Sequence, residues 1–143
     1  MPFVECAPNS GGDEQALINL GPGLQVLVGP PSASDPKQPE NPQQHIALID
    51  TGATQSCIDE SIAVALKLPL IDKVMMGGVA GAKEHNVYLA SLIVPGIRSQ
   101  YGSFAGVDLA GGGQVHRVLL GRTFFTHSIL IYDGFRAQVS FGV

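Results

Sequence analysis

Glycine and proline punctuate this chain so densely that no long regular element can be drawn through it. Eighteen glycines and ten prolines fall among 143 residues, and both resist the interior of a helix. The best apolar run, Val87 to Ile97, is itself interrupted by Ser91, Pro95 and Gly96. It falls short of the ~20 apolar residues that a membrane-spanning helix requires and reads as a strand. Short strands joined by many turns predict an all-β architecture and not a helical bundle. Hydrophobic residues make up 45% and charged residues 14%, enough to bury a core across a single domain over 1–143.

Between the breakers, Ala16 to Leu20 and Leu24 to Val28 read as short strands around Gly21-Pro22-Gly23. Residues 29–44 hold five prolines among Ser, Asp, Asn and Gln, a composition that predicts an exposed loop. Ile46 to Ile49 is a buried-strand signature leading straight into Asp50-Thr51-Gly52. One helix is expected from an Asp59 N-cap through Lys67, closed by Pro69. Val74 to Met76 and His85 to Val94 then flank the glycine-rich tip Gly77 to Gly81. Tyr101 to Val107 and Val115 to Leu120 are further strands, followed by Ile129 to Tyr132 and Phe135 to Phe141. The dipeptide Asp133-Gly134 between the last two predicts a two-residue hairpin turn.

Composition removes several classes of function. A net charge of −4 argues against nucleic acid, because phosphate binding needs a basic surface. Cys6 and Cys57 are the only cysteines and form no metal spacing, so two free thiols in a reducing compartment are expected. His45, His85, His116 and His127 show no ligand spacing. The triple glycine 111–113 is followed by no Lys-Ser/Thr and reads as a flexible loop. No metal or cofactor is expected. The first basic residue is Lys37, so the opening residues lack the basic region of a secretory signal. A cytoplasmic location is the default expectation, and nothing in the chain indicates membrane association.

The chemistry concentrates at Asp50. An Asp-Thr-Gly triplet occurs by chance in roughly one chain in twenty of this length, so it carries weight only in context. Here a buried strand delivers a carboxylate to its own end, and Gly52 permits a tight turn immediately after it. Such a placement is costly unless hydrogen bonds or chemistry justify it. The alternative at this point is a solvated turn at a strand end.

Two further motifs follow in order. Met75-Met76-Gly77-Gly78-Val79-Ala80-Gly81 precedes Leu119-Leu120-Gly121-Arg122-Thr123. Together with Ala47-Leu48-Ile49-Asp50-Thr51-Gly52-Ala53 the chain resembles the retropepsin family of aspartic peptidases, over about Leu24 to Phe141. The resemblance implies a small closed-barrel-like acid protease fold with one or two short helices and a β-hairpin flap. Asp50, Thr51 and Gly52 would be the catalytic triplet, with Thr51 hydrogen-bonding across a dimer. Leu48, Ala53, Cys57, Leu119 and the flap residues Gly77, Gly78, Val79, Ala80 and Gly81 would contact an extended peptide. Arg122 would brace the fold. The sequence departs from the family in its long 29–44 loop and in Ala80, which replaces a flap glycine. It departs also in Thr54, which stands where those enzymes often carry an aspartate facing the arginine matching Arg122.

No other aspartate is followed by Ser/Thr-Gly, so the second acid of an aspartic peptidase would come from a second copy. A homodimer is therefore expected, with Gln138 to Val143 as a candidate strand for a shared terminal sheet. Water activated between two Asp50 carboxylates would hydrolyse the peptide bond. The alternative is a catalytically silent dimer of the same fold that binds peptides or serves as a scaffold.

Overall fold

Leu24, Val26 and Val28 alternate along β2 (Gly23–Gly29) and are each at most 1% exposed. That period-two burial is the mark of a strand with one face on a core. A computed structural model describes residues 3–6, 13–79 and 81–143 and shows how the strands share that core. After β2 come β3 (Gln43–Ile49), β4 (Cys57–Asp59), the helix α2 (Glu60–Ala65), β5 (Leu70–Gly78), β6 (Gly81–Val94), β7 (Arg98–Val107) and β8 (Val118–Leu120). β2 pairs antiparallel with β3, which runs parallel to β8. β8 is antiparallel to β4, β4 parallel to β7, and β7 antiparallel to β6. β6 then returns to β2, with Leu27 opposite Ile93 and Gly29 opposite Ser91. Six strands thus close into a barrel and leave no free edge within the ring.

β5 lies outside the ring, paired along its length with the first half of β6. The resulting hairpin turns between Gly78 and Gly81, and Val79 at its end is fully exposed. Ala80, expected at the same tip, lies outside the described residues. Inside the barrel, Val26, Ala47, Ile58, Ala90, Val118 and Leu120 are fully buried.

A second, three-stranded sheet packs against this core. β1 (Phe3–Glu5) pairs with β10 (Gln138–Gly142), which pairs on its other side with β9 (Ile129–Asp133). Val139 and Phe141 point inward, and Phe141 stacks against Phe124 and Phe125 of a 3-10 helix (Arg122–Phe125). Arg98 ties the layers together. Its guanidinium lies over the Phe124 and Phe141 rings and donates to the Phe124 carbonyl at 2.7 Å and to Ser128 Oγ at 2.9 Å.

Three local expectations are corrected. Ala16 to Leu20 is not a strand but part of a helix, α1 (Glu14–Leu20), because the Asp13 side chain accepts from Ala16 N and caps it. Gly21, at φ 71°, ends it. Asp59 precedes α2 as expected, yet its carboxylate does not cap that helix; it accepts from the Ser61 hydroxyl and from Ala110 N. Lys67, at φ 56°, then closes the turn after α2. The Asp133-Gly134 link is a four-residue turn, 134–137, and not a two-residue one. The Asp133 carboxylate accepts from Arg136 N and pairs with its guanidinium, which draws the chain one step further round. No helix among the described residues is long and apolar enough to cross a membrane.

The connection 30–42 is exposed along most of its length, but it is tied down. Pro31 bridges Pro39, Ser32 N donates to Gln38 O at 2.8 Å, and Glu40 N donates to Pro30 O at 2.8 Å. The hydroxyl of Ser91, fully buried on β6, donates to the Pro36 carbonyl and fastens the loop to the barrel.

Candidate active site

Parallel pairing of β3 with β8 sets the position of Asp50. Leu48 lies opposite Leu119 and Ile49 opposite Leu120, and Asp50 N donates to Leu120 O at 2.9 Å at the point where the strands part. The chain then turns sharply. Gly52 N donates to Asp50 Oδ1 at 3.1 Å, and Ala53 N to the Asp50 carbonyl at 3.2 Å. Asp50 is half-buried, whereas Thr51 and Gly52 are exposed. The carboxylate is thus held by one backbone donor and still open to solvent.

The segment after β8 clamps the far side of this turn. Arg122 N donates to Ala53 O at 2.9 Å and Thr123 N to Thr54 O at 3.1 Å. Gly121 N donates to the buried hydroxyl of Ser56 at 3.0 Å. A Cβ on Gly121 would sit 2.5 Å from Gln55 O and 3.0 Å from Thr54 O, so no larger residue allows this approach. Arg122, whose partner the sequence leaves open, donates to the Thr51 carbonyl at 2.8 Å and to Thr54 Oγ1 at 3.0 Å. A hydroxyl and a carbonyl thus take the place of a carboxylate partner.

The register also brings residues from four strands into one row. Leu48 lies opposite Leu119, which lies opposite Cys57, which lies opposite Ala105. Residues opposite one another share a face of the sheet, so Leu48, Leu119 and Cys57 form a continuous apolar strip beside the acid turn. Leu48 and Leu119 are half-buried. Cys57 is buried, and burial together with the nearby Asp50 charge pushes its thiol up to about 11. It is a small apolar wall and not a thiolate nucleophile.

Above the turn, the β5–β6 hairpin leans over residues 52–55. Gly52, Ala53, Thr54 and Gln55 on one side and Val74, Met75, Met76 and Gly77 on the other enclose a groove of about 410 Å³. Of the expected hairpin residues, Gly77 lines this groove; Gly78 and Gly81 flank the tip, and Val79 projects into solvent. Ser56, Gln55, Val74 and Met76 are residues that sequence reasoning did not assign to the site. For Ser56 the available signal is a hydroxyl two positions ahead of a buried strand residue, too common a pattern to single out.

A family model described as "Aspartyl protease" matches residues 41–124, which span the acid turn, the hairpin and Gly121-Arg122. No curated protein sequence matches the chain. Among solved structures, the simian foamy virus (mac) protease is 18% identical with a TM-score of 0.50, covering 73% of this chain and 91% of that one. The EIAV protease, solved with the inhibitor HBY-793, is 22% identical with a TM-score of 0.50, covering 74% of this chain and 86% of that one. Such likenesses speak for a shared fold, and the family match spans more than half of the chain. This chain belongs to the aspartyl protease family and has a retropepsin-like fold.

Proposed function

We propose that this protein is an endopeptidase that hydrolyses peptide bonds with two Asp50 carboxylates, one from each copy of a homodimer. The observation that carries this reading is the open Asp50 carboxylate on a clamped turn beneath a hairpin, with no second Asp-Thr-Gly in the chain. A lone carboxylate is a poor activator of water. Two of them a few ångströms apart share one proton, the established behaviour of aspartic proteases. The ionised member then takes a proton from the attacking water, while the protonated member polarises the scissile carbonyl and the proton passes on to the leaving amine.

The remaining residues take positioning roles in this reading. Arg122, Ser56 and Gly121 hold the turn so that both acids meet without rearrangement. Thr51, exposed beside the acid, hydrogen-bonds to its twin in this reading. The β5–β6 hairpin acts as a flap, with Gly77 to Gly81 closing over an extended peptide and excluding water. Leu48, Leu119 and Cys57 form the floor, and Ala53 the wall, of apolar pockets for side chains next to the scissile bond.

The test is direct. The protein would be incubated with an unstructured protein between about pH 4 and pH 7, with and without a pepstatin-class inhibitor, beside the Asp50→Asn variant. Fragments that the inhibitor and the substitution both abolish are expected. Their absence from the wild-type reaction across the range would overturn the proposal.

A further inference from the structure

The apolar strip beside the acid does not end at Leu48 and Leu119. Two residues back along the parallel pair stand Ile46 and Arg117, which the alternation of a strand puts on the same face as Leu48 and Leu119. Leu20 and Gly21 close one side of the space beside them, and Gly21 lies so near Leu48 that a Cβ on it would meet Leu48 Cδ1 at 2.8 Å. With His45, Val115 and His116 these residues line a cavity of about 320 Å³. It shares no lining residue with the groove beneath the hairpin.

The cavity joins apolar walls to positive charge. Leu20, Ile46 and Val115 are exposed in it, and no acidic residue lines it. Burial holds the imidazoles of His45 and His116 below their ordinary range, and the Arg117 charge adds to the effect on His45. Arg117 therefore supplies the lasting positive charge. Its Nη1 donates to the Gln114 carbonyl at 2.6 Å and to the Val115 carbonyl at 3.2 Å, which fixes the guanidinium in place. Arg117 makes no ion pair among the described residues. Asp59 feels its charge, but that carboxylate is already engaged by the Ser61 hydroxyl and the Ala110 amide. A positioned guanidinium with donors to spare is a recognition element for a carboxylate.

We infer that Arg117 makes this cavity a selective pocket for an acidic side chain of the substrate, two residues along the peptide from the apolar side chain held by Leu48 and Leu119. The inference rests on the proposed peptidase reading and names a substrate class for it. Spacing supports the assignment. Alternate side chains of an extended chain lie about 7 Å apart on one face, and the same two-residue step separates Leu48 from Ile46 and Leu119 from Arg117. An extended peptide running along these strands presents one side chain to the strip and the next but one to the cavity, while the side chain between them faces away. Glutamate suits both parts of the cavity. Its methylenes pack against Ile46 and Val115, and its carboxylate meets the guanidinium. A lysine there would set like charges against each other.

Peptides acetylated and amidated at their ends, so that only side chains supply carboxylates, test this at about pH 6, where glutamate is ionised. Each carries an apolar pair at the scissile bond and Glu, Gln or Lys two residues from one or the other member of that pair. At one of these positions Glu should raise kcat/KM about tenfold over Gln, and Lys should lower it. Moving the Glu by one residue should forfeit the gain. Arg117→Met should abolish the preference. Because Arg117 also holds two carbonyls, Val115→Glu on an exposed wall of the same cavity is the second variant, and it should shift the preference from Glu toward Lys. Glu and Gln peptides cut alike by the wild type, or a Glu preference that survives Arg117→Met, would overturn the inference and leave the peptidase reading intact. Should Arg117→Met fail to fold, an unchanged Glu preference in Val115→Glu would overturn it. If the wild type cuts none of the peptides, the peptidase reading falls, and fluorescence anisotropy of the same peptides carrying fluorescein decides the pocket. Tighter binding of the Glu peptide than of the Gln peptide would then sustain it, and equal binding would overturn it.

Discussion

Asp50 depends on neighbours chosen for what they lack as much as for what they offer. Gly52 supplies a backbone N–H to the carboxylate, and a Cβ there would lie 3.2 Å from Asp50 Oδ1. Asp50→Asn retains the shape of the acid but not its charge, so cleavage should vanish while the circular dichroism and sedimentation coefficient stay as in wild type. Turnover at the wild-type rate would remove Asp50 from the chemistry. Gly121 is the tighter constraint. Its missing side chain lets Gln55 and Thr54 approach the segment after β8, and Gly121→Ala must push them apart at a cost of about 1–3 kcal/mol. A chemical-denaturation series would show the loss, and an unchanged midpoint would mean that the turn relaxes freely. The acid, the glycine after it and the paired Gly-Arg are all legible in the sequence, since each belongs to a short motif. Ser56 and the Thr54 partner of Arg122 are not, because a hydroxyl gains its meaning only from what folds against it.

At the level of elements, legibility tracks the range of the interaction. β2, β3, β6 and β7 announce themselves by local alternation or by continuous apolar runs. β4 is only three residues long and exists because β8 and β7 flank it, so no local pattern predicts it. The parallel β3–β8 and β4–β7 pairings likewise join segments far apart in sequence. The row Leu48–Leu119–Cys57 comes from those pairings, although each member is an ordinary apolar residue when read alone. α1 is the opposite failure, a local signal overlooked. The run from Ala16 to Leu20 is short and apolar enough to pass for a strand, while the deciding feature is the Asp13 cap just before it. Asp13→Ala should accordingly lower stability by about 1 kcal/mol and leave cleavage by the folded protein unaltered, because no hydrogen bond among the described residues joins α1 to residues 50–55. Urea unfolding and a cleavage assay on the same preparation would check both halves.

For the molecule as a whole, the buried Asp59 makes stability depend on pH. Burial pushes its carboxyl up, but the Ser61 hydroxyl, the Ala110 and Leu109 amides and the Arg117 charge outweigh that and hold it below the usual carboxylate range. The unfolded chain therefore takes up this proton more readily than the folded one. Its contribution is present above the ordinary carboxylate pKa and is lost as pH falls through the depressed one. Unfolding free energy should drop on acidification through that range, and Asp59→Asn should flatten the dependence. Equal slopes for the two proteins would assign the acid sensitivity elsewhere.

The loop 30–42 has a consequence for survival. Under the proposed peptidase reading, the protein at high local concentration would be its own nearest substrate, and an exposed connection is where such damage begins. Five prolines, the Pro31–Pro39 bridge and the bond from Ser91 to the Pro36 carbonyl keep this stretch from straightening into the extended form that a cleft accepts. Ser91→Ala should release it. Stored wild-type protein should stay whole by mass spectrometry, while the variant accumulates self-inflicted nicks between residues 30 and 42, and equal rates of nicking would show that the tether protects nothing.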